Sequence, residues 1–291
     1  MTTEHLSART PQTASAPNWK RWIPRRWYIH LILITGAIVM IAPLLWMITL
    51  SLKPARLTYS PPYLFPDTFE WQNYVQAWDA APFARYYLNT AIMALGITLG
   101  QLLFSSLAAY AFARLKFPGR EVLFLILLGT MMLPIQVLII PSYLTVLSLG
   151  WKNSFLALIV PRMVSAFGIF LLRQFYLSIP RDLDEAAFID GASHFDVWWR
   201  IILPLSRPAL ATLAIFAFLF AWNDFLWPLI VTDDPNMRTI QLGLVMFQGR
   251  YSTNWTLLMA GTVTATIPTV IVFLLGQRQF IESIALSGVK E

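Results

Sequence analysis

The sequence predicts an all-α polytopic membrane protein with six transmembrane helices and a short surface helix pair between the fourth and fifth. Three observations predict it. Of 291 residues, 57% are hydrophobic and only 12% charged, whereas soluble domains carry about 45–50% apolar and about 25% charged residues. The apolar residues gather into six runs, each long enough for a span of about 20 residues. The basic residues then fall unevenly between the segments that join those runs. Together these exclude a soluble enzyme. The net charge of +6 does not indicate nucleic acid, because sparse charge on an apolar chain fits loops that flank membrane spans. Cysteine is absent, which excludes disulfides, thiolate zinc sites and cysteine nucleophiles.

Residues 1–27 form a polar tail, with a basic cluster at Lys20, Arg21, Arg25 and Arg26. The membrane domain is expected over 28–291. Its first run, Ile29 to Leu52, is too long for a signal-peptide core and lacks a small-residue cleavage site. It reads as an uncleaved span, and neighbouring helices can accommodate its Pro43. Lys53 to Arg85 is rich in proline, aromatic and polar residues and cannot cross. The second span is expected over Tyr86 to Ala113, and a basic link (Arg114, Lys116, Arg120) leads to a third over Val122 to Leu147. After a turn at Gly150 to Asn153, the fourth covers Ser154 to Leu177. Ser178 to Ile202 is charged. The fifth span covers Leu203 to Val231, and the loop Thr232 to Asn254 precedes the sixth, Trp255 to Phe280. Fourteen of the 21 basic residues lie in segments on the side of the N-terminus and six on the other, with Arg162 inside a span. The positive-inside rule therefore places both termini in the cytoplasm.

The charged segment after the fourth span is the most informative. Pro180 suits a first helical turn, and Asp182, Asp184 and Glu185 put negative charge at its positive end. Gly191 is a natural stop in the left-handed conformation. Ser193, three residues before Asp196, is an N-cap signal for a second short helix. That helix carries Phe195, Trp198 and Trp199 as a bulky apolar surface. Small residues, Ala186 and Ala187, permit close approach of another backbone. Two readings stay open on physical grounds: a helix pair that docks a partner, or an interfacial helix seated on lipid.

Glu185-Ala186-Ala187, three residues, Gly191, nine residues, Ile201, one residue and Leu203-Pro204 together match the EAA motif of ABC importer permeases without a gap. Phe170 to Phe175, Ile189-Asp190-Gly191-Ala192-Ser193, Ala221-Trp222-Asn223-Asp224-Phe225 and the ending from Gly276 to Lys290 resemble the carbohydrate-uptake branch, in particular its six-span maltose-transporter-like subunits. The resemblance covers most of the chain beyond residue 28. It implies a type I importer permease fold, in which the segment from about 178 to 204 is a cytoplasmic coupling loop that sits in a groove of an ATPase. The coupling residues it implies are Glu185, Ala186, Ala187, Asp190, Gly191, Ile201, Leu203 and Pro204. It also implies two ATPase copies, a second permease (expected to be a different chain), an extracytoplasmic solute-binding protein and a bacterial or archaeal plasma membrane. None of the five lysines follows a glycine and no G-x-x-x-x-G-K-[ST] run occurs, so no phosphate-binding loop is recognisable. ATP and Mg are therefore expected on the partner ATPase, with no cofactor bound by this chain.

The fifth span carries Trp222, Asn223, Asp224 and Trp227 before Pro228, and an ionisable residue within a span is by default a functional candidate. On a continuous helix Asn223 and Trp227 share a face, and Pro228 leaves the Asp224 carbonyl without its helical donor. Aromatic faces beside amide and carboxylate acceptors suit a sugar; the alternative is polar glue between helices. Arg162, after Pro161, either pairs with Asp224, lines a wet path or reaches the interface. The outer aromatics Tyr59, Tyr63, Phe65, Phe69, Trp71, Tyr74 and Trp78 read as an interfacial belt or a sugar platform. In the maltose-type subunit, the loop matching Thr232 to Asn254 reaches into the binding protein. The three histidines, His5, His30 and His194, are too scattered for a metal site.

The sequence thus reads as a non-enzymatic transmembrane subunit of an ATP-driven sugar importer, with membrane lipid and the sugar as small partners. Rivals are a permease of the same superfamily for a non-sugar solute and a self-contained secondary transporter.

Overall fold

A computed structural model describes residues 27–58, 66, 68–249 and 252–288. The chain divides into two units, Met1–Trp46 and Met47–Glu291. Residues 1–26 of the expected polar tail lie outside the described residues, and its last, Trp27, opens a helix. In the first unit, α1 (Trp27–Ser51) starts within two residues of the expected position and contains Pro43.

The second unit begins with the end of α1. It continues through α2 (Gln72–Asp79), α3 (Phe83–Arg114), α4 (Arg120–Thr130), α5 (Ile135–Ser148), α6 (Phe155–Ile159) and α7 (Ala166–Ser178). Then come the surface arms α8 (Asp182–Ile189) and α9 (His194–Asp196), the second running through a wide π turn at Val197–Ile202 into α10 (Leu203–Leu205). The unit closes with α11 (Arg207–Trp222), α12 (Leu226–Val231), α13 (Ile240–Leu244) and α14 (Trp255–Gly288). Among the described residues, three helices are long and apolar enough to cross a membrane, or up to six if each of three bent pairs counts as one span.

Those bends correct the expectation of continuous spans. The third is broken between α4 and α5 by 99°, because Pro134 takes an extended conformation as N-cap of α5 and has no N–H to continue a helix. The fourth bends by 43° where Pro161 sits in a 3-10 turn and Ser165 starts α7, its hydroxyl accepting the Gly168 N–H at 3.2 Å. The fifth bends by 80° between α10 and α11, and it ends early. Its helix stops at Trp222 with Asn223 as C-cap, and α12 restarts at Leu226.

The packing centre is α3, which lies against α7 and α11, while α14 packs on α11 and α2. Small residues allow close crossings: a Cβ on Gly168 of α7 would stand 2.8 Å from the Ser105 hydroxyl of α3. Membrane helices meet at such positions because van der Waals packing, not apolar burial, holds them together. Two buried clusters result. One gathers Phe83, Met93, Ile97, Trp222 and Trp227; the other gathers Tyr110, Leu172, Tyr176, Trp198 and Ile202 beside the surface arms.

The segment expected as an outer loop, Thr232 to Asn254, folds back. Thr239, Ile240, Leu242, Gly243, Leu244 and Phe247 are buried, the Asn89 amide donates to the carbonyls of Asn236 (2.7 Å) and Arg238 (2.9 Å), and Thr90 accepts the Ile240 N–H (2.8 Å). What it leaves exposed includes Asn236, Val245 and Met246.

Candidate functional site

The surface arms have the local geometry that the sequence signals. α8 opens with Asp182, Asp184 and Glu185 in its first turn and Arg181 as N-cap, two residues later than a start at Pro180, which lies before the cap and not in the first turn. Gly191 ends the arm at φ +82° with open space where a Cβ would stand. Ser193 and Asp196 then form a reciprocal capping box: the Ser193 hydroxyl accepts the Asp196 N–H at 3.2 Å, and an Asp196 carboxylate oxygen accepts the Ser193 N–H at 3.2 Å. The Ser193 hydroxyl also donates to that carboxylate at 2.5 Å, and this bond together with the one from the Ser193 N–H holds the Asp196 carboxyl below its ordinary range.

Each arm has an anchored side and a free side. On the anchored side, Asp184 pairs with Arg114 at the end of α3 at 3.0 Å, and Arg114 also donates to the Ile179 carbonyl at 2.9 Å. Burial pushes the Asp184 carboxyl up and Arg114 draws it back. His194 meets the Tyr110 hydroxyl at 3.3 Å and the edge of Phe188 at a centroid distance of 4.8 Å. Val197, Trp198 and Ile202 are buried by the π turn. This corrects the expected apolar stripe: Trp198 is an anchor, while Phe195 and Trp199 face outward. On the free side, Glu185, Ala186, Asp190, Gly191 and Pro204 are exposed together with Ile189, which is 87% exposed. Ala187, Ile201 and Leu203 are half-buried, so the small side chain of Ala187 serves packing inside this chain.

The membrane-depth candidates separate into three roles. Trp222 and Trp227 are structural: they are 3% and 2% exposed, and their indole N–H groups donate to the carbonyls of Ala265 (2.9 Å) and Ala157 (3.0 Å). Trp222 therefore offers no free aromatic face. Asn223 is exposed, its amide donating to the Leu219 carbonyl at 2.8 Å and its oxygen accepting weakly from Gln241 at 3.5 Å. The break at 223–225 separates it from the face of Trp227, contrary to the continuous-helix expectation. The same break changes the place of Pro228: it lies in the first turn of α12, where the Asp224 side chain instead accepts the Trp227 N–H at 3.3 Å.

Arg162 takes the first of its three open alternatives. It pairs with Asp224 at 3.6 Å, the two side chains being 12% and 11% exposed, and its guanidinium lies 5.5 Å from the Trp227 ring and 5.6 Å from Phe220. The pair joins the turn in the fourth span to the break in the fifth. It borders a cavity of about 510 Å³ whose polar lining is Gln101, Ser142, Arg162 and Ser165, against apolar Phe167, Phe216 and Phe220. Gln101 also donates to the Arg162 carbonyl at 2.9 Å. Sequence reasoning missed Gln101, Ser142 and Ser165, since isolated polar residues in apolar runs carry no signal until the helices are placed.

Of the outer aromatics, Tyr59, Tyr63 and Phe65 lie outside the described residues. Trp71 and Tyr74 stack at 6.3 Å, and Trp78 stacks on Tyr87 at 5.2 Å. Among the described residues, no group of three or more His, Asp or Glu side chains could hold a metal ion.

Residues 101–280 match the family described as "Binding-protein-dependent transport system inner membrane component". The chain is 36% identical over 266 residues to the sn-glycerol-3-phosphate transport system permease protein UgpE of Yersinia pestis bv. Antiqua (strain Antiqua), covering 88% of this chain and 95% of that one. It is 34% identical to the arabinooligosaccharides transport system permease protein AraQ of Halalkalibacterium halodurans, covering 87% and 92%. A chain in the crystal structure of a bacterial ABC transporter involved in the import of the acidic polysaccharide alginate superposes with a TM-score of 0.77 at 23% identity, over 91% of this chain and 99% of that one. A chain of the alginate transporter in complex with an alginate pentasaccharide-bound periplasmic protein gives 0.63 at 18% identity, over 90% and 96%.

Proposed function

The chain belongs to the family of binding-protein-dependent transport system inner membrane components, and from that membership we propose that it is one of two permease subunits of an ATP-driven importer for a neutral sugar. The second permease is a different chain, two copies of a cytoplasmic ABC ATPase hold ATP and Mg, and an extracytoplasmic solute-binding protein delivers the solute. Both termini lie in the cytoplasm. The free side of the surface arms, with Glu185, Ala186, Asp190, Gly191 and Pro204 around Ile189, docks the ATPase. Their anchored side, through Arg114, Asp184 and Trp198, passes its movement to α3.

The neutral solute rests on one observation. Among the described residues lining the 510 Å³ cavity, Arg162 is the cation, and Asp224 neutralises it. Small polar groups set among aromatic rings recognise a polyol by hydrogen bonds and ring contact. The relatives named for sn-glycerol-3-phosphate favour a second reading, a phosphate ester, which would need a free cation in the path. The tagged chain purified from its native membrane should bring down a second permease and an ATPase. Vesicles of that complex with the binding protein should take up a labelled neutral oligosaccharide in preference to sn-glycerol-3-phosphate. The reverse preference would establish the phosphate-ester reading.

A further inference from the structure

Where α3 passes to α4, the surface holds more cation than its own carboxylates can balance. Glu121 is shared by Arg120 (2.7 Å) and Arg173 (3.2 Å), and Asp184 is held by Arg114 at 3.0 Å. Lys116 and Arg181 are exposed and face the same open pocket of about 550 Å³, which Gly119, Arg120 and the doubly paired Glu121 also line. Asp182 and Glu185, on the neighbouring arm, do not line it. Gly119, at φ +77° with open space where a Cβ would stand, gives the link its turn and keeps the pocket clear.

The second observation is apolar. From the rim of this pocket α4 carries Val122, Leu125 and Ile126, which are 61%, 65% and 60% exposed. Residues spaced by three and four share a helix face, so an uncovered aliphatic track begins where the cationic pocket ends. An anion with a hydrocarbon tail satisfies both halves of this arrangement; a soluble anion satisfies one. Anionic phospholipids are concentrated in the cytoplasmic leaflet, and basic pockets beside transmembrane helices on that side receive their headgroups.

We infer that Lys116, Arg120 and Arg181 bind the phosphate of an anionic phospholipid whose acyl chain lies along Val122 and Ile126. Its sidedness rests on the cytoplasmic placement of the surface arms proposed above; the site itself does not depend on which solute is carried. Arg181 is the N-cap of α8, so a lipid seated there also braces the base of the first arm.

The test uses the full chain purified with its co-purifying subunits in a mild detergent. Native mass spectrometry then reads retention of added dioleoylphosphatidylglycerol and dioleoylphosphatidylethanolamine. Wild type should retain the anionic lipid preferentially, and Lys116→Gln with Arg181→Gln should lower that retention about thirtyfold, the attraction of two surface cations. Arg238→Gln, which removes one cation from the segment after α12, should change nothing. Equal retention of the two lipids by wild type would overturn the proposal, as would undiminished phosphatidylglycerol in the double variant. A third arm offers inorganic phosphate: displacement of the lipid by phosphate at millimolar concentration would make the site one for a soluble anion. Loss of the ATPase subunit from the double variant with lipid retention intact would make the patch a protein interface.

Discussion

At Arg162 and Asp224 the structure resolves an ionisable pair that has little water to fall back on. Breaking such a pair from one side leaves an unpartnered charge, at a cost of about 3–5 kcal/mol for a fully buried pair. With the two side chains 12% and 11% exposed and 3.6 Å apart, Asp224→Asn is expected at the lower end, about 3 kcal/mol. It keeps an oxygen for the Trp227 N–H but strips Arg162 of its counter-charge. Thermal unfolding of the purified complex should fall in Asp224→Asn and recover when Arg162→Gln is added. A double variant no more stable than the single one would show that the pair carries no coupling. Gly191 poses a different problem, one of backbone and not of space. Its φ of +82° with nothing near its missing Cβ means that a side chain meets strain of about 1–3 kcal/mol and no clash. Gly191→Val should therefore leave the protein in the membrane while weakening ATPase stimulation by solute. Gly191→Asn, which tolerates the left-handed region, should retain most of that stimulation. Equal loss in both would point to crowding by a partner, not to conformation.

At the scale of elements, the second arm depends on a capping box whose acid titrates. The Asp196 carboxyl is held below its ordinary range by the Ser193 hydroxyl and N–H. Its contribution to folding is thus present at and above the usual carboxylate range and is lost as the pH falls through the depressed value. Protection of the amides of 194–198, as the exchange rate relative to the intrinsic rate at the same pH, should fall on acidification below about pH 4, and Ser193→Ala should bring that loss of protection on already at neutral pH. Exchange in Ser193→Ala matching wild type at neutral pH would show that the buried Trp198 and Ile202 suffice to order the arm. This box was legible in the sequence because capping is local chemistry: the partners stand three residues apart. The interruptions of the spans were legible only as prolines. Pro134 and Pro43 present the same residue type in the same kind of apolar run, yet one caps a new helix after a 99° turn and the other stays inside α1. Nothing in the residues beside either proline tells the two outcomes apart. The anchoring of Trp222 and Trp227 inside the chain was hidden from the sequence for the same reason. Their N–H groups find carbonyls 43 and 70 residues away, a pairing that no spacing rule reaches.

For the molecule as a whole, hydropathy was enough to find the apolar helices and bent helix pairs among the described residues, because a crossing segment must present a long run of apolar side chains to lipid. It could not find Arg114 with Asp184 or Arg173 with Glu121, pairs separated by 70 and 52 positions in sequence order, since any of many charges near the span ends could have been partners. Orientation is where the whole-chain evidence makes its sharpest claim. The basic residues divide fourteen to six in favour of the side that holds the surface arms, which is the asymmetry that fixes a multi-spanning chain in the membrane. Asn236 and Ser178 test it directly. Both are exposed, and they lie in segments separated by α11, an odd crossing, so they must face opposite compartments. The absence of cysteine gives a background free of native thiols. In intact cells made permeable at the outer envelope, Asn236→Cys should react with a membrane-impermeant maleimide, and Ser178→Cys should react only after the inner membrane is opened. Labelling of Ser178→Cys alone would invert the topology, taking the proposed ATPase docking face and the anionic-lipid site to the wrong side together. Labelling of both in intact cells would show that the broken fifth span does not cross, and would remove the geometric basis for a path between Arg162 and Asp224.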